Sequence, residues 1–250
     1  MKIVSMLLFV VVMLFAEPHK VYYYASDKNI ENFKTFKIAF DRYLAQYGDY
    51  QFQAFSEKEV FEDFLEDGEA ILMLSSRHYQ QLKSRYHLVP ISVAQNKKSI
   101  TDTNIIVGKK GLSLEGTVST AFSKKYTNNL LRKTLGNHHL SLLKVPKEID
   151  ALMSVGYGMS QFASVSKKSY YHLIKTNKNL TKDMRIYRES DPNYRMLVAV
   201  NKSYKNNQNL IRIFTNMKKT KRGRVLLKRL GIDNIVRLSR RDLHLLGGSK

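Results

Sequence analysis

A chain of 250 residues with 43% hydrophobic residues can bury one large core or two small ones, which excludes a largely disordered protein. Its formal charge of +21 raises the question of a nucleic-acid partner, but the Lys and Arg residues are spread through every segment, with denser runs only at 217–229 and 237–242. They read as solvated faces that attract anions or anionic lipid, and no nucleic acid is implied. There is no Cys, so disulfides and a Cys-based lipid anchor are both excluded.

The chain opens with "MKIVSMLLFVVVMLFA", one Lys and an apolar run that ends at Ala16 before Glu17 and Pro18. That run is short for a bilayer-spanning helix, which needs about 20 residues, and has the form of a secretory signal. The alternatives are an uncleaved anchor or a buried helix. Cleavage near Ala16 would start the mature chain at about Glu17 and deliver it to a bacterial periplasm.

"KVYYYAS" follows as a β-rich run ending at Ser26. Phe33, Phe36, Phe40, Tyr43, Leu44 and Tyr47 then recur at helical spacing until Gly48. "YQFQAFS" is a second strand, and its Ser56 opens "SEKE", the form of a capping box with Glu59, ahead of a helix ended by Gly68. "AILMLSSRHY" (70–79) is a strand running into Ser75 and Ser76, with Tyr79 four positions after Ser75. The order is β-α-β-α-β, the pattern of a parallel sheet covered by helices.

The same rhythm returns after "TNIIVGKKG" (103–111). "GTVST" is a strand turning into a helix marked by Phe122, Tyr126, Leu130 and Leu131. "SLLKV", a helix over "KEIDALMSV" with Pro146 in its first turn, and the strand of "FASVSKKSY" (162–170) complete it. This last stretch repeats the earlier device, with Ser166 four positions before Tyr170. Two lobes of one plan explain the repetition. The extended runs 103–111 and "RMLVAVNKS" (195–203) read as the two crossings between them, paired side by side, after which the chain is helical and returns to the first lobe. The expected fold class is α/β with two lobes and two crossing hinge strands: residues 17–106 and 198–250 form lobe 1, and 107–197 form lobe 2. Ligand is expected in the cleft at the carboxyl ends of the strands.

Four stretches, "AILMLSSRHY", "NIIVGKKGLSLEGTVST", "GYGMSQFASVSKKSY" and "RIYRESDPNYRMLVAVNKSYKNN", occur in an order that resembles the periplasmic substrate-binding proteins of ABC importers for phosphate, phosphite and phosphonate, a branch of the type II periplasmic-binding fold. The resemblance runs from about 21 to 245. It implies a small anionic ligand, a membrane permease of an ABC transporter or a membrane sensor as partner, no cofactor, and a monomer. Free amides at a helix N-terminus favour an oxyanion, so Ser119 and Thr120, at the strand-to-helix turn, are the foremost ligand contacts, with an ordinary N-cap as the competing role. Ser75, Ser76 and Tyr79 hold the corresponding place in the first lobe, with an N-cap and a core-edge Tyr as their competing roles, and Tyr24, near the end of the first strand, either faces the ligand or packs in the sheet. The chain departs from the family at Ala121 and Phe122, where the family turn has Ser and Gly, and at Ala70 and Gln161, where it has Asp. A neutral Gln161 cannot pair with a cationic amine, which favours an unprotonated anion. Arg77 and His78 either add positive charge to the cleft or are exposed, Glu189 and Ser190 are candidates for the hinge, and adjacent His138 and His139 make no metal site. No Ser-His-Asp order, metal spacing or Gly-rich phosphate loop is present, so catalysis is not indicated.

Overall fold

The computed structural model describes residues 17–25, 32–66, 69–136, 140–204 and 207–247. Residues 1–16, which read as an export signal, the end of the first strand at Ser26, Gly68 and the pair His138 and His139 lie outside the described residues.

Lobe 1 begins with β1 (His19–Tyr23), α1 (Phe33–Leu44), β2 (Tyr50–Ala54), α2 (Lys58–Asp63), β3 (Ala70–Leu74), α3 (Ser76–Leu82) and β4 (Leu88–Gln95). A two-residue strand, β5 (Thr101–Asp102), leads into lobe 2, which contains β6 (Asn104–Lys109), β7 (Gly116–Thr120), α4 (Lys124–Leu135), β8 (Leu140–Lys144), α5 (Glu148–Gly156), β9 (Phe162–Ser166), α6 (Lys167–Thr176), α7 (Lys178–Thr181) and β10 (Met184–Glu189). The chain returns through β11 (Asn193–Tyr194) to β12 (Leu197–Asn201), α8 (Asn207–Thr215), a 3-10 turn (Asn216–Lys219), α9 (Lys221–Leu230), β13 (Asn234–Arg237) and α10 (Arg240–Leu245).

The sheet of lobe 1 has the order β13-β4-β12-β3-β1-β2 and that of lobe 2 the order β10-β6-β9-β7-β8. The expected β-α-β-α-β units are there as parallel trios, β2-β1-β3 and β8-β7-β9, but each sheet is extended by antiparallel strands. The sequence reading assigns no element to β4, whose Pro90 is unusual in a central strand. Pro90 has no N–H to give the ladder, and the pairing of β4 with β12 shifts register there, Val198 facing Ser92 and Ala199 facing Pro90.

The crossings differ from the expectation. Residues 103–108 and 195–201 do not lie against each other: β6 pairs with β9 and β10, whereas β12 pairs with β3 and β4. The strands that meet at the hinge are β5 and β11, Thr101 opposite Tyr194 and Asp102 opposite Asn193. All of β6 therefore belongs to lobe 2 and β12 to lobe 1. The long apolar runs are sheet interior, and the hinge is the short polar pair just outside them. Arg195 ties the two crossings together, its guanidinium 2.8 Å from Asp102 Oδ2.

The duplicated Ser-x-x-x-Tyr device has one structural job in both lobes. Ser75 caps α3 by accepting from His78 N–H, and Ser166 caps α6 by accepting from Ser169 N–H. One turn on, the Tyr79 hydroxyl donates to Leu88 O and the Tyr170 hydroxyl to Met184 O, pinning each helix to the strand that follows. Burial pushes Tyr79 up to about 12. The "SEKE" box does not form: α2 starts at Lys58 with Glu57 at its cap and no side-chain bond there.

His78 lies in lobe 1 beneath the rings of Tyr24 and Phe61, 5% exposed, with Nε2 2.7 Å from Glu62 Oε1. Burial lowers its pKa more than Glu62 raises it, so the ring is neutral at pH 7 and Nε2–H donates. The bond from His78 holds Glu62 down to about 2. Both shifts act in the same direction on acidification. The unfolded state takes a proton on His78 first, so stability declines as pH falls below about 6.5, and the Glu62 contribution is lost between about 4.5 and 2. The shift on Glu62 corresponds to at most about 3 kcal/mol. Glu62→Gln should therefore flatten the acid limb of a urea-denaturation series taken below pH 5, whereas an unchanged limb would remove Glu62 from this role.

Candidate functional site

The carboxyl ends of β3 and β9 face each other across a cavity of about 80 Å³. This is room for several waters, each occupying about 30 Å³ in the liquid. Lobe 1 contributes Ser75, Ser76 and Arg77, the hinge contributes Asp102, Tyr194 and Arg195, and lobe 2 contributes Asn104, Glu148, Ser166 and Lys168.

Arg77 is the central member. It enters from the first turn of α3 with its guanidinium 3.6 Å over the ring of Phe122 in lobe 2. One nitrogen donates to Asn104 Oδ1 and another lies 3.3 Å from Glu148 Oε1. The side chain thus closes one lobe onto the other, with Gln81 Nε2 on Ser123 Oγ and Lys147 Nζ on Ser56 O as further ties. Asn104 is held in turn by Tyr126 OH at 2.6 Å and by Ser190 Oγ, which accepts from its backbone N–H. Ser190 therefore sits at the hinge as expected, while Glu189 pairs with Lys167.

Glu148, fully buried at the first position of α5, aims its other oxygen at the start of α6. It accepts from Ser166 N–H at 2.7 Å and from Ser166 Oγ at 2.6 Å. A carboxylate of the protein itself thus occupies the free amide of a helix N-terminus next to an arginine, the position an oxyanion favours. On the far side of Arg77 a wider groove of about 530 Å³ runs between α3 and α4, lined by Gln80, Gln81, Ser123 and Asn129. The charged groups converge on the smaller cavity, which is the candidate site.

Of the seven side chains expected at the ligand, Ser75 and Ser76 line the cavity, with the Ser76 hydroxyl on Tyr194 O. Ser119 and Thr120 do not. They are the last residues of β7, and α4 begins only at Lys124, capped by Ser123, because residues 121–123 lengthen the turn. Both are fully buried. Ser119 Oγ lies 2.8 Å from Ala151 O and accepts from Ser160 Oγ, and Thr120 Oγ1 accepts from Phe122 N–H. Tyr79 is likewise fully buried as the anchor of α3. Tyr24 packs against Phe61 and His78, with Lys147 Nζ over its ring, and the neighbouring Tyr23 and Ala25 reach the cavity instead. Gln161, like Ala70, sits at the amino end of its strand, roughly 13 to 16 Å of strand away from the cavity, where Oε1 accepts from Thr117 N–H. The double substitution Ser119→Ala and Thr120→Ala should accordingly cost stability, about 1 kcal/mol for each buried bond, and leave anion affinity within about twofold. A large loss of affinity at full stability would restore them to the site.

Arg77 was legible only as a flanking charge, and Glu148 and Asn104 not at all. A Glu after Lys147 reads as a favourable first-turn helix residue. Among the described residues no group of three or more His, Cys, Asp or Glu is placed to hold a metal.

No family model and no curated protein matches the chain. Solved structures do. A chloride-bound protein from Xanthomonas citri superposes with a TM-score of 0.73 at 13% identity, covering 92% of this chain and 96% of that one. A methylphosphonate-bound protein from Prochlorococcus marinus gives 0.70 at 14% identity, with 92% and 96% covered. A binding-protein component of a phosphonate ABC transporter from Pseudomonas aeruginosa gives 0.67 at 11% identity, with 93% and 85% covered. The fold is the two-lobe type II periplasmic-binding fold, as the sequence resemblance implies.

Proposed function

We propose that this chain is an exported solute-binding protein that closes its two lobes on a small oxyanion, of the phosphate or phosphonate class, and presents it to the membrane permease of an ABC importer. The observation that carries the reading is the interlobe cavity at the carboxyl ends of β3 and β9, where three cationic side chains, Arg77, Lys168 and Arg195, meet two acids, Asp102 and Glu148. The ligand would take the place that Glu148 holds on Arg77 and Ser166, with Ser75 and Ser76 completing the seat. Closure then follows from the ligand's higher affinity for the state in which both lobes reach it. The resemblance to periplasmic proteins and the signal-like residues 1–16 support export and a mature chain beginning near Glu17. Intact mass from a periplasmic fraction tests that start.

One observation favours a second reading. Because Glu148 already bridges Arg77 and α6, the lobes can be held together by the protein's own groups. Such a protein suits an adaptor that reports ligand occupancy to a membrane sensor. A thermal-shift screen of phosphate, phosphite, methylphosphonate, sulfate and small carboxylates tests the binding claim. A ligand at 100 times its Kd adds about 2.7 kcal/mol.

A further inference from the structure

Residues 192–232 contain no Asp or Glu, and the described residues from Leu197 onward belong to lobe 1, with β12 inside its sheet and α9 packed along α1. Within it, Lys218, Lys219, Lys221, Arg222, Arg224, Lys228 and Arg229 are exposed. Three of these, Lys221, Arg222 and Arg224, occupy the first turns of α9, which has no acidic residue there. Cations at a helix N-terminus oppose the helix dipole and cost stability. Arg222 and Arg224 hold carbonyls of Arg42, Lys218 and Lys219, whereas Lys221 makes no hydrogen bond or ion pair among the described residues, so the concentration of charge exceeds what these contacts use.

The basic face spans two helices. Arg222 donates to Arg42 O and Arg229 to Thr35 O, so α9 lies antiparallel along α1 with a bridge at each end. Halfway between the bridges, at helical spacing on each partner, stand Val225 and Ile38, which are 48% and 40% exposed. Lys34 and Arg42 extend the positive charge over α1, and its one acid, Asp41, is engaged by Lys37 at 2.7 Å and by Phe52 N–H. A basic surface around a small apolar centre matches an anionic bilayer, where phosphates meet the cations and Val and Ile reach the acyl boundary. Nucleic acid would use the charge and leave the exposed Val225 and Ile38 unexplained.

We infer that the outer face of α1 and α9 is a docking surface for anionic phospholipid, holding the protein at a membrane without a covalent anchor. This is independent of what occupies the interlobe cavity. The test is co-sedimentation of the mature chain with phosphatidylglycerol-containing vesicles and with pure phosphatidylcholine vesicles. Binding is expected only to the anionic vesicles and should fall steeply with salt. Lys221→Glu with Lys228→Glu should weaken it at least about tenfold, since each cation near such a surface contributes about 1 kcal/mol. Lys175→Glu with Lys178→Glu, on lobe 2, removes the same charge and should change it by less than about twofold. Equal losses in the two double variants would show that net charge alone is responsible and would overturn the inference. So would salt-insensitive binding, equal binding to neutral vesicles, or displacement of the protein from vesicles by equimolar duplex DNA. The salt series needs no variant and decides the matter if a variant fails to fold.

Discussion

Replacing Arg77 by Met is expected to lower affinity for a cavity-bound oxyanion by at least about a hundredfold. The guanidinium can place two charge-assisted hydrogen bonds on an anion, each worth about 1.5 to 3 kcal/mol, and a tenfold change in affinity is about 1.4 kcal/mol. The same substitution takes the guanidinium away from the buried Glu148 carboxylate, which Ser166 continues to hold. Removing one member of a buried pair costs about 3 to 5 kcal/mol while the other stays buried. The two-lobe fold has a way out, because parting the lobes hydrates Glu148. Arg77→Met should therefore show a larger radius of gyration in small-angle scattering and a smaller loss of stability than a rigid core would suffer. Adding Glu148→Gln to it should recover part of that loss, a coupling that a double-mutant cycle reads directly. An unchanged scattering profile and unchanged affinity would take Arg77 out of the closure mechanism.

Glu148→Gln alone makes the opposite prediction for the ligand. In the native cavity the carboxylate competes with an incoming anion for Arg77 and for the Ser166 amide, and repels it at short range. The neutral amide keeps an acceptor for Ser166 and frees the charge of Arg77, so affinity for sulfate or methylphosphonate should rise by at least about tenfold. Melting temperature without ligand should fall, because a charge-assisted clasp is replaced by a weaker one. Calorimetric titration reads the sign. A fall in affinity would mean that the ligand brings a proton or an amine for Glu148 to accept, the opposite of the unprotonated anion that Gln161 and Ala70 led the sequence reading to favour.

The repeated fold was legible because its signals are local. Phe36, Phe40 and Tyr43 mark α1 by spacing, and the Ser-x-x-x-Tyr device marks the entry of α3 and α6 in both lobes. Non-local choices were hidden. Pro90 is atypical of a strand placed as β4 is, and the short polar strands β5 and β11 give less signal than the apolar runs beside them, which read as the hinge. At the site, a Ser ending a strand faces the cleft or the core according to where the helix begins. Ser75 and Ser166 sit at helix caps and reach the cavity, whereas the three-residue extension at 121–123 leaves Ser119 and Thr120 inside β7. Glu148 meets Ser166 across 18 positions of sequence, and no periodicity records that contact.

The most direct test of the account is isothermal titration of the mature chain and of Arg77→Met with phosphate, methylphosphonate and sulfate, under identical salt. The account predicts saturable one-to-one binding of at least one of these anions to the native chain and its loss, by about a hundredfold or more, in the variant. Binding of equal strength in both proteins, or none to the native chain, would contradict it.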